Sequence, residues 1–286
     1  MGGCSSECIK NYLFDEDINI RGNKIFKKIT INLNIQNLEL NEREKILLDE
    51  CTKLLREAEK ERSIIAKKFE TFLFDTGACV LIRPTMERAL ISYVINLLTQ
   101  IYITAFKKNP DFHMKELYLT NFIVVSKEKP YFKINGSIKE TLKEKYDFDF
   151  QENEIIKKGL DSLKDLLSTL PNLKVMLQNQ LIILKNIIVH SFNNKKSLKS
   201  LKVGLESMSF LLEFFNEITS GISEAQIKLS KFNNLELYFK IAEDAAKNNI
   251  SDPKEIVMIY GFGENCGNME KWKDNITYKE NHQMKF

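Results

Sequence analysis

The most apolar stretch of the chain reads Met86-Glu-Arg-Ala-Leu-Ile-Ser-Tyr-Val-Ile-Asn-Leu-Leu-Thr-Gln-Ile-Tyr-Ile-Thr-Ala-Phe106. Apolar residues occupy much of the circumference that this stretch would have as a helix, which is typical of a buried helix. Polar residues at Glu87, Arg88 and Asn96 interrupt it, whereas a membrane-spanning helix requires about 20 predominantly apolar residues. We therefore predict a helix over about 85–107 at the centre of the fold.

The composition of the whole chain favours helices around this centre. The 286 residues are 43% hydrophobic, enough to bury a substantial core in one large or two modest domains. Only 5 Pro and 11 Gly are present, so few positions force a helix to end. We predict a mainly α protein, an antiparallel multi-helix bundle with long amphipathic helices. A short strand or small hairpin in addition to the helices is left open.

Upstream of the central stretch, the pattern changes from strand to helix. Residues 27–40 alternate apolar and polar side chains, which predicts a short strand. Asn41 with Glu44 three residues later forms a capping arrangement, and apolar residues then recur at near-heptad spacing as far as Phe72. This predicts one helix of about thirty residues, about 45 Å long.

Downstream, two interpretations of one segment stay open. Asn109-Pro110 is a helix-start signal and predicts a third helix, but residues 122–125 and 131–134 could equally form a small hairpin. Residues 137–140 form a capping box that predicts a short helix. The aromatic segment 146–150 then predicts a linker packed on the bundle.

The second half of the chain carries successive apolar stripes at helical spacing. One stripe over 156–170 ends at Pro171, the next covers 173–188, and a third over 201–215 ends near Gly221. A further helix is predicted from Ser223 to about Asn248, and Asp252-Pro253 predicts a last short one. Short connections predict antiparallel neighbours.

Charge and cysteine content exclude several function classes. The 42 basic and 39 acidic residues are interspersed, which gives no nucleic-acid footprint. An odd number of cysteines without paired spacing argues against a disulfide framework and a zinc site, and predicts a reducing compartment. The cysteines are Cys4, Cys8, Cys51, Cys79 and Cys266, and the histidines are His113, His190 and His282. Cys79 lies in an apolar run and is predicted to be a buried hydrophobe. We expect this protein to have no enzymatic activity and to bind no cofactor and no metal ion.

The most specific motif is Met1-Gly-Gly-Cys-Ser-Ser-Glu-Cys8, which fits the M-G-x-x-x-[ST] pattern for myristoylation of Gly2. Cys4 is well placed for a palmitoyl thioester, and Cys8 is a second candidate. These eight residues resemble the dually acylated N-termini of Src-type kinases and G-protein α subunits, a resemblance that implies a modification and no fold. The cluster Lys24, Lys27 and Lys28 is a candidate for contact with anionic lipid.

The predicted organisation is an anchor segment over 1–26, a helical bundle domain over 27–260 with a possible subdivision near 147–152, and a polar tail over 261–286. We expect a peripheral membrane protein on the cytoplasmic face of a cellular membrane, the plasma membrane or a specialised extension of it. Its partners would be membrane lipid, through the acyl chains, and a further protein. Two alternatives stay open: a membrane-remodelling or permeabilising bundle, and an enzyme with an unrecognised site, for which the glycine-containing segment 261–267 is the one hint.

Overall fold

A computed structural model describes residues 42–81, 84–113, 123–125, 132–134, 136–191, 195–230 and 232–260. The helices among them are α1 (Glu42–Asp75), α2 (Met86–Lys108), α3 (Gly136–Tyr146), α4 (Glu154–Ser191), α5 (Lys195–Ser230), α6 (Phe232–Lys247) and α7 (Pro253–Ile259). A short 3-10 turn covers Ala78–Val80, and the strands are β1 (Ile123–Val125) and β2 (Phe132–Ile134). The predicted mainly helical bundle is confirmed. The strand predicted over 27–40 and the tail over 261–286 lie outside the described residues.

Helix α2 lies at the centre of the fold, as its sequence predicts. It packs against α5 and α6 and also contacts α4 and α7. Its buried Asn96 donates a hydrogen bond from Nδ2 to the carbonyl oxygen of Thr76, 2.9 Å away, which ties α2 to the end of α1. Within the described residues α2 alone is long and apolar enough to cross a membrane, yet 83% of its apolar window is buried inside the protein. Its burial is that of a core helix.

Helices α1 and α4 pack against each other along much of their lengths in antiparallel orientation. The Lys68 ammonium is 2.7 Å from the Asp165 carboxylate, and further along α1 the Asp75 carboxyl shares a hydrogen bond with Ser162, which precedes Asp165 in α4. The 34-residue α1 confirms the predicted long helix, and its predicted capping residue Asn41 lies outside the described part. The buried face of α1 includes Leu55, Ala58, Ile65, Phe69 and Phe72.

The predicted helix end at Pro171 is wrong, because α4, which is 38 residues long, continues through this proline to Ser191. An interior proline costs about 3 kcal/mol through its missing N–H and its clash with the preceding turn. Burial of each leucine contributes about 1.5–3 kcal/mol, and Leu166, Leu170, Leu173 and Leu177 are buried on both sides of it. The free energy gained by burying these four leucines therefore exceeds the cost of the interior proline. Pro171 itself lies on the exposed face of α4.

The predicted helix end at Gly221 is also wrong, and the helix predicted from Ser223 to about Asn248 is divided between α5 and α6. Helix α5 runs unbroken through Gly221 to Ser230, and α6 starts at Phe232. A Cβ on Gly221 would lie 2.8 Å from the Cβ of Met86, closer than side chains tolerate. The glycine therefore serves a close crossing of two helices instead of a helix end.

Between α2 and α4 the hairpin interpretation is confirmed. Strands β1 and β2 pair antiparallel, with Ile123 opposite Ile134. Asn109 opens a turn instead of the predicted helix, since its side-chain oxygen accepts from the Asp111 N–H at 3.1 Å and its carbonyl accepts from the Phe112 N–H at 3.0 Å. The short helix predicted after residue 136 is present as α3.

The aromatic linker after α3 packs on the bundle, as predicted. Tyr146, Phe148 and Phe150 are all buried in the common core. The Tyr146 ring meets Phe112 edge-on at 4.8 Å between centroids, and Phe148 meets Phe150 at 5.0 Å. The intervening Asp149 stays at the surface side and is held by the Lys143 ammonium at 2.8 Å, which keeps the pKa of this carboxyl below its usual range.

Two small elements close the end of the fold remote from Glu42. Gly77 has a φ of 74°, a left-handed conformation that ends α1 and that only glycine adopts without strain. Helix α7 packs beside it, so that a Cβ on Gly77 would lie 2.3 Å from the carbonyl oxygen of Pro253. Asp252 caps α7 as predicted, accepting from the N–H groups of Lys254 and Glu255 at 2.9 and 3.1 Å.

Candidate functional site

The residues that the sequence marks as lipid-linked or lipid-contacting all lie outside the described part of the chain. They are Gly2, Cys4, Cys8, Lys24, Lys27 and Lys28. The glycine-containing segment 261–267 lies outside it as well. The described part of the chain begins at Glu42, the first described residue of α1.

Three helix ends lie together where α1 begins. Glu42 precedes Lys68 by 26 residues, and Ser191 follows Asp165, the ion-pair partner of Lys68, by the same 26. Because α1 and α4 are antiparallel, the start of α1 and the end of α4 lie at about the same level. Helix α5 begins four residues after Ser191 and runs back alongside α4. We call this part the proximal end of the bundle; it is formed by residues 42–58, 175–191 and 195–210.

A contact further along supports this arrangement. The Arg62 guanidinium of α1 lies over the Phe214 ring of α5, 5.8 Å from its centroid. Lys195, the first residue of α5, comes 19 residues before Phe214, and Glu42 comes 20 before Arg62. The two helices therefore run in the same direction from the same level. The central helix α2 contacts α5 further from the proximal end, at Gly221.

Exposed apolar side chains cluster at the proximal end. Val175 and Ile182 of α4 are 55% and 60% exposed, and they are seven residues, two helical turns, apart. Leu173 and Leu177 are buried on the opposite face of the same helix. Helix α4 is therefore apolar on two faces there, one of which faces solvent. Ile46 of α1 and Leu181 of α4 are 63% and 37% exposed.

The predicted stripe over 173–188 is therefore only partly core. Leu173 and Leu177 are buried as expected, whereas the partial exposure of Leu181 contradicts the expectation that it belongs to the interior. The reason is geometric. Leu181 lies about 40° further round the helix than Leu177, at 100° per residue, and so falls at the margin of the buried face.

One long stretch of the second half of the sequence lacks acidic residues. Between Asp165 and Glu206 the sequence contains no Asp or Glu in forty residues, whereas the whole-chain frequency of 39 in 286 predicts about five. Six lysines occur in the same stretch: Lys174, Lys185, Lys195, Lys196, Lys199 and Lys202. The near-neutral total charge of the chain conceals this local excess of positive charge. A window count of acidic residues would have revealed it from sequence.

The described residues show no constellation suited to catalysis. Among them, no group of three or more His, Cys, Asp or Glu side chains is placed to hold a metal ion. Cys79 is buried, as predicted, and burial raises the pKa of its thiol, which disfavours the reactive thiolate. Burial likewise raises the pKa of Tyr93, which lies at the centre of the core against Gly159.

One polar cluster lies beside the crossing of α2 and α5. The Lys228 ammonium of α5 forms an ion pair with the Glu87 carboxylate of α2. The hydrogen bond between Glu224 and the Glu87 carboxylate raises the pKa of Glu224, and burial adds to the effect. Glu87 also lies in the first turn of α2, where a carboxylate is stabilised by the helix dipole. This cluster joins α2 to α5.

Gln180 is the polar residue that the fold explains least. It is fully buried at the proximal end of α4, and neither its Nε2 nor its Oε1 atom has a hydrogen-bond partner in the described part of the chain. A buried amide without partners costs free energy, about 1–3 kcal/mol. The surrounding three-helix region is therefore less stable than its leucine content implies.

Comparison with known proteins adds no analogy. No protein-family model matches the chain, and neither a curated protein nor a solved structure shows a significant match to it. The candidate site therefore rests on the residues themselves.

Proposed function

We propose that this protein is a peripheral membrane protein, anchored by myristate on Gly2 and palmitate on Cys4, whose helical bundle serves as a non-enzymatic scaffold or recruiting module. The observation that carries the proposal is the motif Met1-Gly-Gly-Cys-Ser-Ser, which combines a myristoylation pattern with an adjacent thiol. Cys8 is a second candidate for acylation. The cluster Lys24, Lys27 and Lys28 would add electrostatic attraction to anionic lipid.

The need for two chains follows from the energy of acyl insertion. Each buried methylene contributes about 0.8 kcal/mol, yet a single myristoyl chain gives an association constant of only about 10⁴ M⁻¹. Stable residence therefore requires a second chain or a basic surface. Cys4, two residues after Gly2, supplies the second chain at the position where the first would already hold the peptide against the bilayer.

A scaffold or recruiting role is supported by the form of the described bundle. Its charged residues form ion pairs between helices, as in Lys68 with Asp165 and Lys228 with Glu87, and Cys79 is buried. Long helices present extended surfaces for a protein partner. The proposed location is the cytoplasmic face of a cellular membrane, because thiol-linked palmitate and free thiols persist in a reducing compartment.

Fatty-acid labelling and fractionation in eukaryotic cells test the anchor. Membranes are washed at high salt, so that electrostatic binding is removed and acyl-dependent binding is measured. Wild type should carry both labels and stay in the membrane fraction. Gly2→Ala should lose both labels and become cytosolic, since thiol acyltransferases reside in membranes. The Cys4→Ser/Cys8→Ser variant should keep the myristate label and exchange rapidly between the membrane and the cytosol.

A Gly2→Ala protein that stays on salt-washed membranes and still carries label would contradict the anchor. Proximity labelling by wild type, with Gly2→Ala as the matched control, tests the recruiting role: the enriched proteins should depend on Gly2. The long amphipathic helices also motivate the second candidate, a permeabilising bundle. Dye leakage from vesicles at protein concentrations that only saturate binding would favour that candidate over a scaffold.

A further inference from the structure

We infer that residues 251–260, which contain α7, form a strap that opens as a unit while the rest of the bundle stays folded, and that the hydrogen bond between Tyr260 and Asp244 is its latch. The strap lies at the end of the fold remote from Glu42, where α7 packs beside Gly77. This movement lies beyond the proposed function and does not depend on the acyl chains.

Helix α6 ends before the strap and is capped without it. Asn249 takes a left-handed φ of 57°, and its N–H donates to the carbonyl oxygen of Ala246 at 3.0 Å. The Ile250 N–H donates to the carbonyl oxygen of Ala245 at 2.8 Å. This arrangement is a Schellman motif, which satisfies carbonyl groups at the end of a helix from the next residues of the chain. Helix α6 therefore keeps its cap when the strap moves.

Helix α7 is likewise capped from within the strap. The Asp252 side chain accepts from the N–H groups of Lys254 and Glu255. Pro253, the first residue of α7, has no N–H that would need a partner. The caps on both sides of the connection are therefore local, and opening the strap leaves neither of them broken.

Opening the strap exposes little additional apolar surface. Within α7 only Ile256 and Val257 are buried, whereas Met258 and Ile259 already face solvent. Hydrophobic stabilisation is proportional to the apolar area removed from water, so α7 contributes far less of it than the long helices do. A seven-residue helix is also too short to be stable by itself. Elements of this kind open locally, at a lower free energy than the whole fold.

Two of the contacts that hold the strap in place are weak. Near its start, the Gln100 amide donates to the Ser251 carbonyl oxygen at 3.2 Å, a bond between neutral groups that water can replace at little net cost. In the middle, the Lys254 ammonium lies 3.6 Å from the centroid of the Phe74 ring. This ring is 41% exposed, and cation–π contacts at exposed sites contribute little.

The contact at the end of the strap is stronger. The Tyr260 hydroxyl donates to the Asp244 carboxylate of α6 at 2.5 Å. Hydrogen bonds to a charged acceptor are shorter and stronger than bonds between neutral groups. Burial and this bond both raise the pKa of Tyr260, so the hydroxyl keeps its proton and stays a donor at neutral pH. We therefore assign the latch to this pair.

The thiol of Cys79 reports whether the strap is open. Cys79 lies in the 3-10 turn Ala78–Val80, against which α7 packs, and is 7% exposed. Burial raises the pKa of this thiol and the nearby charge of Lys254 lowers it, which places the thiol beside the start of α7. A reagent that alkylates Cys79 while the bundle stays folded therefore detects the open strap.

The test measures alkylation of Cys79 by N-ethylmaleimide in the full chain, produced in bacteria, by mass spectrometry of the peptide that contains this cysteine. Rates are compared over urea concentrations below the unfolding transition. Local opening exposes little surface, so its rate should depend weakly on urea, whereas labelling through global unfolding rises steeply with it. Without urea, we expect Cys79 to react at least about tenfold faster than the global unfolding equilibrium allows.

Two substitutions separate the latch from general stability. Tyr260→Phe removes the hydroxyl donor and should accelerate alkylation of Cys79 about tenfold. Ile65→Val is the matched control, because Ile65 is fully buried in α1, ten residues before its end, and loss of one methyl group lowers global stability by a similar factor. It should leave the alkylation rate without urea unchanged. Circular dichroism verifies that both variants are folded.

Three outcomes would overturn the inference. In the first, alkylation of the wild type rises with urea as steeply as global unfolding, which would mean that Cys79 reacts only in the unfolded chain. In the second, Tyr260→Phe leaves the rate unchanged. In the third, Ile65→Val accelerates alkylation as much as Tyr260→Phe does. Acylation of Gly2 is measured separately in cells, so failure of the strap is distinguishable from failure of the proposed function.

Discussion

Gly221 in α5 approaches Met86 in α2 so closely that a Cβ on the glycine would lie 2.8 Å from the Met86 Cβ and 3.0 Å from the backbone nitrogen of Glu87. Both neighbours are at or near the backbone, so neither can move without shifting α2. The ion pair between Lys228 and Glu87 lies two turns further along α5. The start of α2 is thus fixed against α5 by both a steric and an electrostatic contact.

Replacing Gly221→Ala is therefore expected to destabilise the protein. Alanine gains about 1 kcal/mol over glycine from helix propensity, but overpacking at this crossing costs about 1–3 kcal/mol. The net loss in the free energy of unfolding is measured by urea denaturation. Gly136→Ala is the control, because no atom lies within 4 Å of a Cβ there, and it should cause no loss. Equal effects of the two substitutions would show that the crossing is not tight.

Two buried glutamines should respond in opposite directions to the same substitution. Gln180→Met removes an amide without described partners and is expected to stabilise the protein by about 1–3 kcal/mol. Gln100→Met should destabilise it by a similar amount. The Gln100 amide donates to the Ser251 carbonyl at 3.2 Å and accepts from Asn153 at 3.3 Å, and these groups would lose their partner. A destabilised Gln180→Met protein would reveal a partner outside the described residues.

Neighbouring leucines of α4 should differ sharply in their effect on stability. Leu177 is 2% exposed and Leu181 is 37% exposed, although they occupy successive positions of one apolar stripe. Leu177→Ala is expected to cost about 2–5 kcal/mol, and Leu181→Ala less than about 1 kcal/mol. Thermal or urea denaturation decides. Comparable losses at both positions would place Leu181 in the interior.

The Glu224 carboxyl should give stability a distinct pH dependence. Its pKa is raised, mainly by the hydrogen bond with Glu87, so the folded state binds more protons than the unfolded state above the unfolded pKa of about 4.3. The free energy of unfolding therefore falls as the pH rises from that value through the folded pKa.

Glu224→Gln should remove this dependence. The variant is expected to be more stable than wild type at pH 7 by less than about 1 kcal/mol, because solvent screens this exposed position, and to match it near pH 4. Melting temperatures across this range measure the difference. In a Glu87→Gln background the gain should vanish; a gain that persists there would refute the carboxyl pair as its cause.

Local patterns predicted most of the fold correctly. These local patterns are the predominantly apolar sequence of α2, the near-heptad spacing of α1 and the Asp252-Pro253 start of α7. Each depends only on neighbours within a few helical turns, so it can be recognised in the sequence alone. Pro171 and Gly221 failed as helix ends because their context is tertiary. Burial of leucines on either side offsets the proline, and a close crossing with Met86 requires the glycine.

The candidate functional residues likewise include some that local sequence predicts and some that depend on the fold. The acylation motif is a contiguous signal and can be predicted without a fold. The exposure of Val175 and Ile182 could not be predicted, since α4 is apolar on two faces and its packing against α1, α5 and α2 decides which face is exposed. The absence of acidic residues between Asp165 and Glu206 could have been detected in the sequence, but a charge count over the whole chain concealed it.

The hydrogen bond from the Tyr260 hydroxyl to the Asp244 carboxylate, 2.5 Å long, fastens the end of α7 to α6. Because α7 also lies against Gly77, Tyr260 lies at the end of the fold remote from Glu42, roughly 50 Å away along the 34 residues of α1. A molecule that binds the bundle beside Tyr260 would therefore not compete for space with one that binds it beside Glu42, so both ends could be occupied simultaneously.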